Sequence, residues 1–275
     1  MPALPELRFA KADSGKLEGN RLSYIESGVA VKGNVVLLHG IGSNATGWRH
    51  LIPRLSAEYR VIAWNAPGYY LSDNICAESP SHVDYADALA ALLDALHIQD
   101  VFVVGSSFGS LVAASFAVCH PERLKALVLL GATRGHKHLA ANERSRLFGA
   151  RAAAIQAGPL EFAANRFRQL VAADASAEVI SEVRQILAAV CTRGFLQAAR
   201  TVSNTDVVEF ARKIGVPTLL AVGTEDKVNP IEVSRVIHGG IPRSKLAMLD
   251  RVGHMSKIEA PERVLQLVEQ HFAEV

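Results

Sequence analysis

Gly105-Ser106-Ser107-Phe108-Gly109 sets a serine between two glycines, directly after the apolar run Val101–Val104 and directly before a stretch of helical period, Phe108–Cys119. A serine hydroxyl is a poor nucleophile unless it is held clear of its surroundings beside a base, and a sharp strand-to-helix turn holds it so. Glycines two places to either side let the chain pass close to its neighbours. The turn also aims the Phe108 N–H, at a helix N-terminus, toward developing negative charge. Ser106 is the rival hydroxyl, but choosing it puts the glycines out of register, so Ser107 is the expected nucleophile. A second glycine loop, His39-Gly40-Ile41-Gly42-Ser43, follows the apolar run Val35–Leu38. It is expected to fold back over the serine, with Ile41 N–H joining Phe108 N–H in an oxyanion hole. His39 is read as a brace for that loop.

An activated serine needs a base, and the base needs an orienting carboxylate. Of ten histidines, His254 alone follows the last core strand on a glycine-containing turn, Val252-Gly253-His254-Met255. The carboxyl ends of strands are where reactive groups gather in open α/β sheets. His82, His97, His120, His238 and His271 sit in or beside helical stretches, where a satisfied or surface histidine is the default. His136 and His138 open a helical insert and are poorly placed for a base. Glu225 and Asp226 both end the apolar run that starts at Val216, and either has the right chemistry. Asp226 is favoured because Gly223-x-x-Asp226 with Pro230 beyond it faces the turn. The competing structural reading is a helix cap before Pro230–Val236. The chain order Ser, Asp, His is the one that accompanies a G-x-S-x-G turn. Trp48 and Met255 are expected to line the apolar part of a substrate pocket. Arg144, Arg146, Arg151, Arg166 and Arg168 are candidates for holding a substrate carboxylate, solvated helix faces being the default for most of them.

These loops need a frame. Short β-branched runs (Val35–Gly40, Arg60–Gly68, Val101–Ser107, Leu124–Thr133, Val216–Asp226 and Lys245–His254) read as strands buried on both faces. Arg21–Gly28 half-alternates and reads as a more exposed strand. Val83–Leu96, Phe108–Cys119 and Pro261–Phe272 carry apolar residues at helical spacing. Alternating strands and helices predict a mostly parallel, doubly wound α/β sheet. From Arg134 to about Thr205 the rhythm breaks. Helical stretches at Glu143–Ala157, Leu160–Ala172 and Ala177–Val190 predict a helical cap over the strand ends. The expected division is a core of residues 1–133 and 206–275 with a cap of residues 134–205.

Composition excludes several classes. Over 275 residues, 29 Lys and Arg against 27 Asp and Glu give a net charge of +2, too balanced for a nucleic-acid face. Hydrophobic residues at 49% and charged residues at 20% fit a globular core. No apolar run is long enough to span a bilayer, and the first twenty residues lack a signal-peptide pattern. Three cysteines without a CxxC suggest neither a disulfide framework nor a zinc site. The expectation is a cytoplasmic protein with a small-molecule substrate, no metal, no membrane and no nucleic acid. A homodimer is compatible with it.

Taken jointly, His39-Gly40-Ile41-Gly42, Ala66-Pro67-Gly68-Tyr69, the turn around Ser107, Gly223–Asp226 and Gly253-His254 resemble the α/β-hydrolase superfamily from Leu22 to Phe272. The resemblance implies an α/β-hydrolase fold with a helical cap after the sixth core strand. It also implies a Ser107-His254-Asp226 triad and no cofactor. Serine at the turn, where relatives with aspartate are dehalogenases and epoxide hydrolases, implies acyl-type or carbon–carbon hydrolysis. His254-Met255-Ser256-Lys257-Ile258-Glu259 looks like the corresponding stretch of 3-oxoadipate enol-lactonases, implying an ester or lactone hydrolase of the carboxylesterase kind. The meta-cleavage product carbon–carbon hydrolases are the next resemblance, sharing the spacing of His39 and Trp48. This chain departs from them at His50 and Ser106, where they usually carry asparagines, and at Met255, where they carry tryptophan. Tyr70, where the superfamily usually has glycine, is a further departure. A non-hydrolytic ligand-binding protein, a lyase or a cofactor-free oxygenase on the same fold are the remaining alternatives.

Overall fold

The computed structural model describes residues 4–275. One sheet contains β1 (Leu7–Lys11), β2 (Arg21–Ser27), β3 (Asn34–Leu38), β4 (Arg60–Trp64), β5 (Val101–Ser106), β6 (Leu124–Leu130), β7 (Thr218–Gly223) and β8 (Ser244–Leu249). Their spatial order is β1-β2-β4-β3-β5-β6-β7-β8. β3 to β8 are parallel, whereas β2 is antiparallel to both β1 and β4. From β3 the chain steps outward to β4 and then returns to lay β5 on the other side. The crevice between β3 and β5 is therefore the switch point of the sheet, and the loops leaving these two strands flank it.

Alternation along each strand sorts side chains into two cores. Val36 and Leu38 pack with Ile62, Trp64 and Val103 on one face, while Val35 and Leu37 pack with Val61, Ala63 and Phe102 on the other. The helices His82–Ala95 and Phe108–Cys119 cover the first face, and Pro261–Ala273 covers the second. Burial on both faces explains why these strands read as unbroken apolar runs. The helix His82–Ala95 starts sharply because Ser81 and Asp84 form a reciprocal capping box.

The sequence reading passed over β1. It is an edge strand with one solvated side, and its Phe9 is 50% exposed. An amphipathic edge of five residues leaves no continuous apolar run.

The segment between β6 and β7 includes the helices Ala141–Gln156, Pro159–Arg166, Ala177–Ala188 and Thr192–Asn204, followed by the short turn of helix Val208–Ala211. Thr192–Asn204, which the sequence pattern does not single out, ties the insert to the loop that precedes the helix His82–Ala95. Its Gln197 side chain donates to Ile75 O and Ala77 O, both at 2.7 Å, and Thr201 Oγ1 donates to Pro80 O at 2.7 Å. Its Gly194 lies directly on Gly68, and a Cβ on either residue would collide with the other's backbone. Gly194→Ala is accordingly expected to destabilise the protein by about 1–3 kcal/mol through overpacking. Thermal unfolding checks this, and an unchanged melting temperature would show that the contact has slack. Among the described residues no helix is long and apolar enough to cross a membrane, and Cys76, Cys119 and Cys191 are unpaired.

Candidate active site

Gly105 and Gly109 make the turn at the end of β5 sterically possible. A Cβ at Gly109 would strike the carbonyl oxygens of Leu38 and His39, and one at Gly105 would strike Gly109. The chain thus enters the helix Phe108–Cys119 through Ser107 in a left-handed conformation, φ 54 and ψ −115, rare for a residue with a Cβ. Backbone bonds fix this geometry: Ser107 N–H donates to Leu130 O at 2.9 Å, and Ser107 O accepts from Ser110 N–H at 2.9 Å. Gly40 lies beneath the side chain, its would-be Cβ 3.1 Å from Ser107 Cβ.

His254 and Asp226 are joined directly. His254 Nδ1 donates to Asp226 Oδ2 at 2.7 Å, with both residues buried. Asp226 Oδ1 accepts from the N–H groups of Val228 at 2.9 Å and Asn229 at 2.8 Å. The turn-capping and imidazole-binding readings of Asp226 therefore hold together, one oxygen for each. Gly131, at the end of β6, leaves room for the pair. A Cβ there would come within 3.1 Å of both Asp226 Oδ2 and His254 Nδ1. Asn229 Nδ2 holds Gly131 O at 2.8 Å. Glu225, the alternative acid, turns away and accepts from Ala173 N–H at 2.9 Å.

A cavity of about 690 Å³ between the sheet end and the inserted helices brings Ser107, His254, Ile41, Phe108 and Met255 together. Among the described residues, neither Ser107 Oγ nor His254 Nε2 has a protein hydrogen-bond partner, and the N–H groups of Ile41 and Phe108 have no protein acceptor. Two backbone donors, one hydroxyl and one imidazole nitrogen thus remain available in one enclosed space.

Trp48 requires a correction, because it does not line this cavity. The 3-10 turn Ala45–Trp48 carries its ring into the core beneath the sheet, where it packs with Leu51 and Val104 and is fully buried. A bulky residue close to a motif in sequence can as readily point into the core.

His39 braces its loop. Its Nδ1 donates to Gly40 O at 2.9 Å and its Nε2 accepts from Ala66 N–H at 3.0 Å. Complete burial holds its pKa down from 6.5 to about 4. With the folded value below the unfolded one, the unfolded chain takes up the proton first as pH falls. The stabilisation is whole above about pH 6.5 and is lost progressively toward pH 4, where the loss amounts to about 3 kcal/mol. Urea unfolding between pH 7 and pH 4 should show this loss, and His39→Asn should flatten it. An equal slope in the variant would place the pH sensitivity elsewhere.

The cavity also holds groups that no sequence motif marks. Arg151 and Arg166 face the cavity from the insert, whereas Arg144, Arg146 and Arg168 do not line it. Burial, with Arg166 alongside, pushes Arg151 down to about 10. His136 also lines the cavity, and burial beside Arg151 holds it neutral, with a pKa of about 4. Glu259 accepts three backbone N–H groups, from Ala172 at 2.7 Å, Gly253 at 3.0 Å and Met255 at 3.0 Å. It thereby clamps the His254 loop from both sides. Lys257 lies at the cavity wall with Ser106. Four of the helical histidines are engaged elsewhere, His82 with Ser115, His120 with Asp87, His238 with Ser244 and His271 with Pro217 O.

The sheet with its reversed strand order, the strained serine turn and the imidazole–carboxylate pair define a recognisable class. Residues 33–261 match the α/β-hydrolase fold family, and the chain belongs to it. It is 31% identical to a 2-hydroxy-6-oxononadienedioate/2-hydroxy-6-oxononatrienedioate hydrolase of Pseudomonas putida, over 95% of this chain and 94% of the relative. Among solved structures it is similar to a meta-cleavage product hydrolase from Pseudomonas fluorescens, 25% identical over 97% of each chain with a TM-score of 0.78. An enol-lactonase from Burkholderia xenovorans superposes with a TM-score of 0.84 at 21% identity, covering 97% of this chain and 100% of that one, which shows the shared fold.

Proposed function

We propose that this α/β hydrolase cleaves a carboxylic ester or lactone of a small substrate by nucleophilic catalysis at Ser107. The observation that carries the reading is the His254–Asp226 bond of 2.7 Å, which commits Nδ1 as a donor and leaves Nε2 as a base facing the cavity that Ser107 shares. His254 Nε2 takes the hydroxyl proton as Ser107 Oγ attacks the carbonyl carbon. Asp226 holds the tautomer and steadies the imidazolium. The Ile41 and Phe108 N–H groups receive the oxyanion, each donor of this kind supplying about 2.7–4 kcal/mol of barrier lowering. The imidazolium returns its proton to the leaving alkoxide or enolate. Water activated by the same nitrogen then releases the acid and restores Ser107. Met255 and Phe108 contribute apolar contact, and Arg151 and Arg166 favour an acidic substrate.

A second reading, hydrolysis of a carbon–carbon bond in a vinylogous diketone acid, is favoured by the Pseudomonas putida relative, itself named for a dioate substrate. A fluorophosphonate probe tests the common core of both readings and should label the wild type at Ser107. Absence of labelling would reject an activated serine. A panel of p-nitrophenyl esters, enol lactones and vinylogous diketone acids then separates the two. Ester and lactone turnover with inert diketones supports the first, and the reverse supports the second.

A further inference from the structure

Lys257 follows His254 by three residues, on the single helical turn Ser256–Glu259, and is 1% exposed. The hydrolytic steps above make no use of it. Its Nζ donates to Ser106 Oγ at 3.1 Å and lies 5.0 Å from the centre of the Trp48 ring. A buried ammonium needs an anionic partner or a full set of acceptors. The carboxylates around it face other partners, with Glu182 Oε1 itself left without a hydrogen bond. Glu182, from the helix Ala177–Ala188, accepts from His50 at 2.9 Å and pairs with Arg49 at 3.7 Å. Glu259 is spent on its three backbone N–H groups. Both act on Lys257 only at a distance, and the other titratable neighbour, His39, is neutral. Among the described residues no carboxylate is bonded to Lys257.

Two hydroxyls share this wall of the cavity. Ser106 Oγ accepts from Lys257 and so keeps its own proton to donate. Ser43 Oγ is buried with no hydrogen-bond partner, and it lines the cavity together with Ser106 and Lys257. The three converge around Gly47 and the serine turn. A Cβ at Gly47 would stand 2.9 Å from Ser43 Oγ and 3.6 Å from Lys257 Cε. Ser43, Ser106 and Lys257 line the same cavity as Ser107 and His254.

We propose that Ser43, Ser106 and Lys257 form a carboxylate subsite, which takes an acidic group carried a few atoms from the scissile carbonyl of the substrate. The inference rests on the reading of this cavity as the substrate site. A carboxylate placed there receives one charge-assisted bond from Lys257 and hydroxyl bonds from the two serines. A neutral ester leaves the ammonium without a counter-ion, so the subsite selects by penalising the uncharged substrate as well as by binding the acid. Burial brings Lys257 down from 10.5 to about 8, so it is charged at neutral pH and discharges above that value. Selectivity for the acid should therefore be nearly full below about pH 7 and decline as pH rises through about 8.

The test compares mono-p-nitrophenyl glutarate with p-nitrophenyl butyrate on the full chain. The wild type should prefer the glutarate ester. Lys257→Met should lower kcat/KM for that ester at least tenfold and for butyrate less than threefold, and should abolish the decline of selectivity near pH 8. Arg151→Gln, on the inserted helix Ala141–Gln156, should leave the pH dependence of selectivity in place. Equal losses on both esters, or an acid preference that follows Arg151 alone, would overturn the proposal. Should Lys257→Met not fold, Ser43→Ala and Ser106→Ala carry the test, each expected to lower glutarate-ester turnover three- to tenfold more than butyrate turnover. A binding measurement separates this inference from the hydrolytic reading. In Ser107→Ala protein, calorimetry should find glutarate binding weakened at least tenfold by Lys257→Met or by the two serine changes. Binding that persists unweakened rejects the subsite, whereas a wild type that resists fluorophosphonate rejects the activated serine.

Discussion

Ser107→Ala should lower kcat by roughly 10⁴- to 10⁶-fold while leaving the protein folded. The hydroxyl is the only atom removed. Cβ stays, the backbone bonds to Leu130 and Ser110 stay, and the left-handed strain at φ 54 stays with them. Stability is therefore expected within about 0.5 kcal/mol of the wild type. Ser107→Gly should be equally inactive yet more stable by about 1 kcal/mol, since glycine meets that backbone conformation without the Cβ penalty. Steady-state kinetics beside thermal unfolding separates the two effects. Residual turnover within tenfold of the wild type in either variant would move the nucleophile elsewhere.

Asp226→Asn should cost about 10⁴-fold in kcat for a different reason. The amide oxygen can keep the turn by accepting from Val228 and Asn229, which directs the NH₂ group toward His254 Nδ1. Nδ1 must then accept, so the proton moves to Nε2, and the nitrogen facing Ser107 becomes a donor. The fold survives and the base is lost. Asp226→Ala should be comparably inactive but also less stable by about 2 kcal/mol, because two buried N–H groups lose their acceptor. A drop of less than tenfold for Asp226→Asn would show that the imidazole is oriented by another group.

Much of this was legible in the sequence because sheet and site obey short-range rules. Strands buried on both faces must be apolar throughout, so β3 to β7 stood out, and each reactive loop could be assigned to the end of such a run. The half-solvated β1 gave no equivalent signal. Trp48 shows the limit of proximity as a guide, since a single 3-10 turn decides whether its ring meets the cavity or the core. Lys257 and Ser106 lie 151 residues apart and meet only when β5 and the last loop are both in place. The role of Glu259 was hidden likewise, because its partners are backbone groups, which carry no residue signature.

That carboxylate has a mechanical implication. Glu259 holds Ala172, in the insert, with the same oxygen that holds Gly253, next to the imidazole. Lifting the insert away from the sheet at this point would break one bond and loosen its neighbour, so the insert cannot part from the core here without slackening the support of the base, and the two halves of the molecule are held in one mechanical unit.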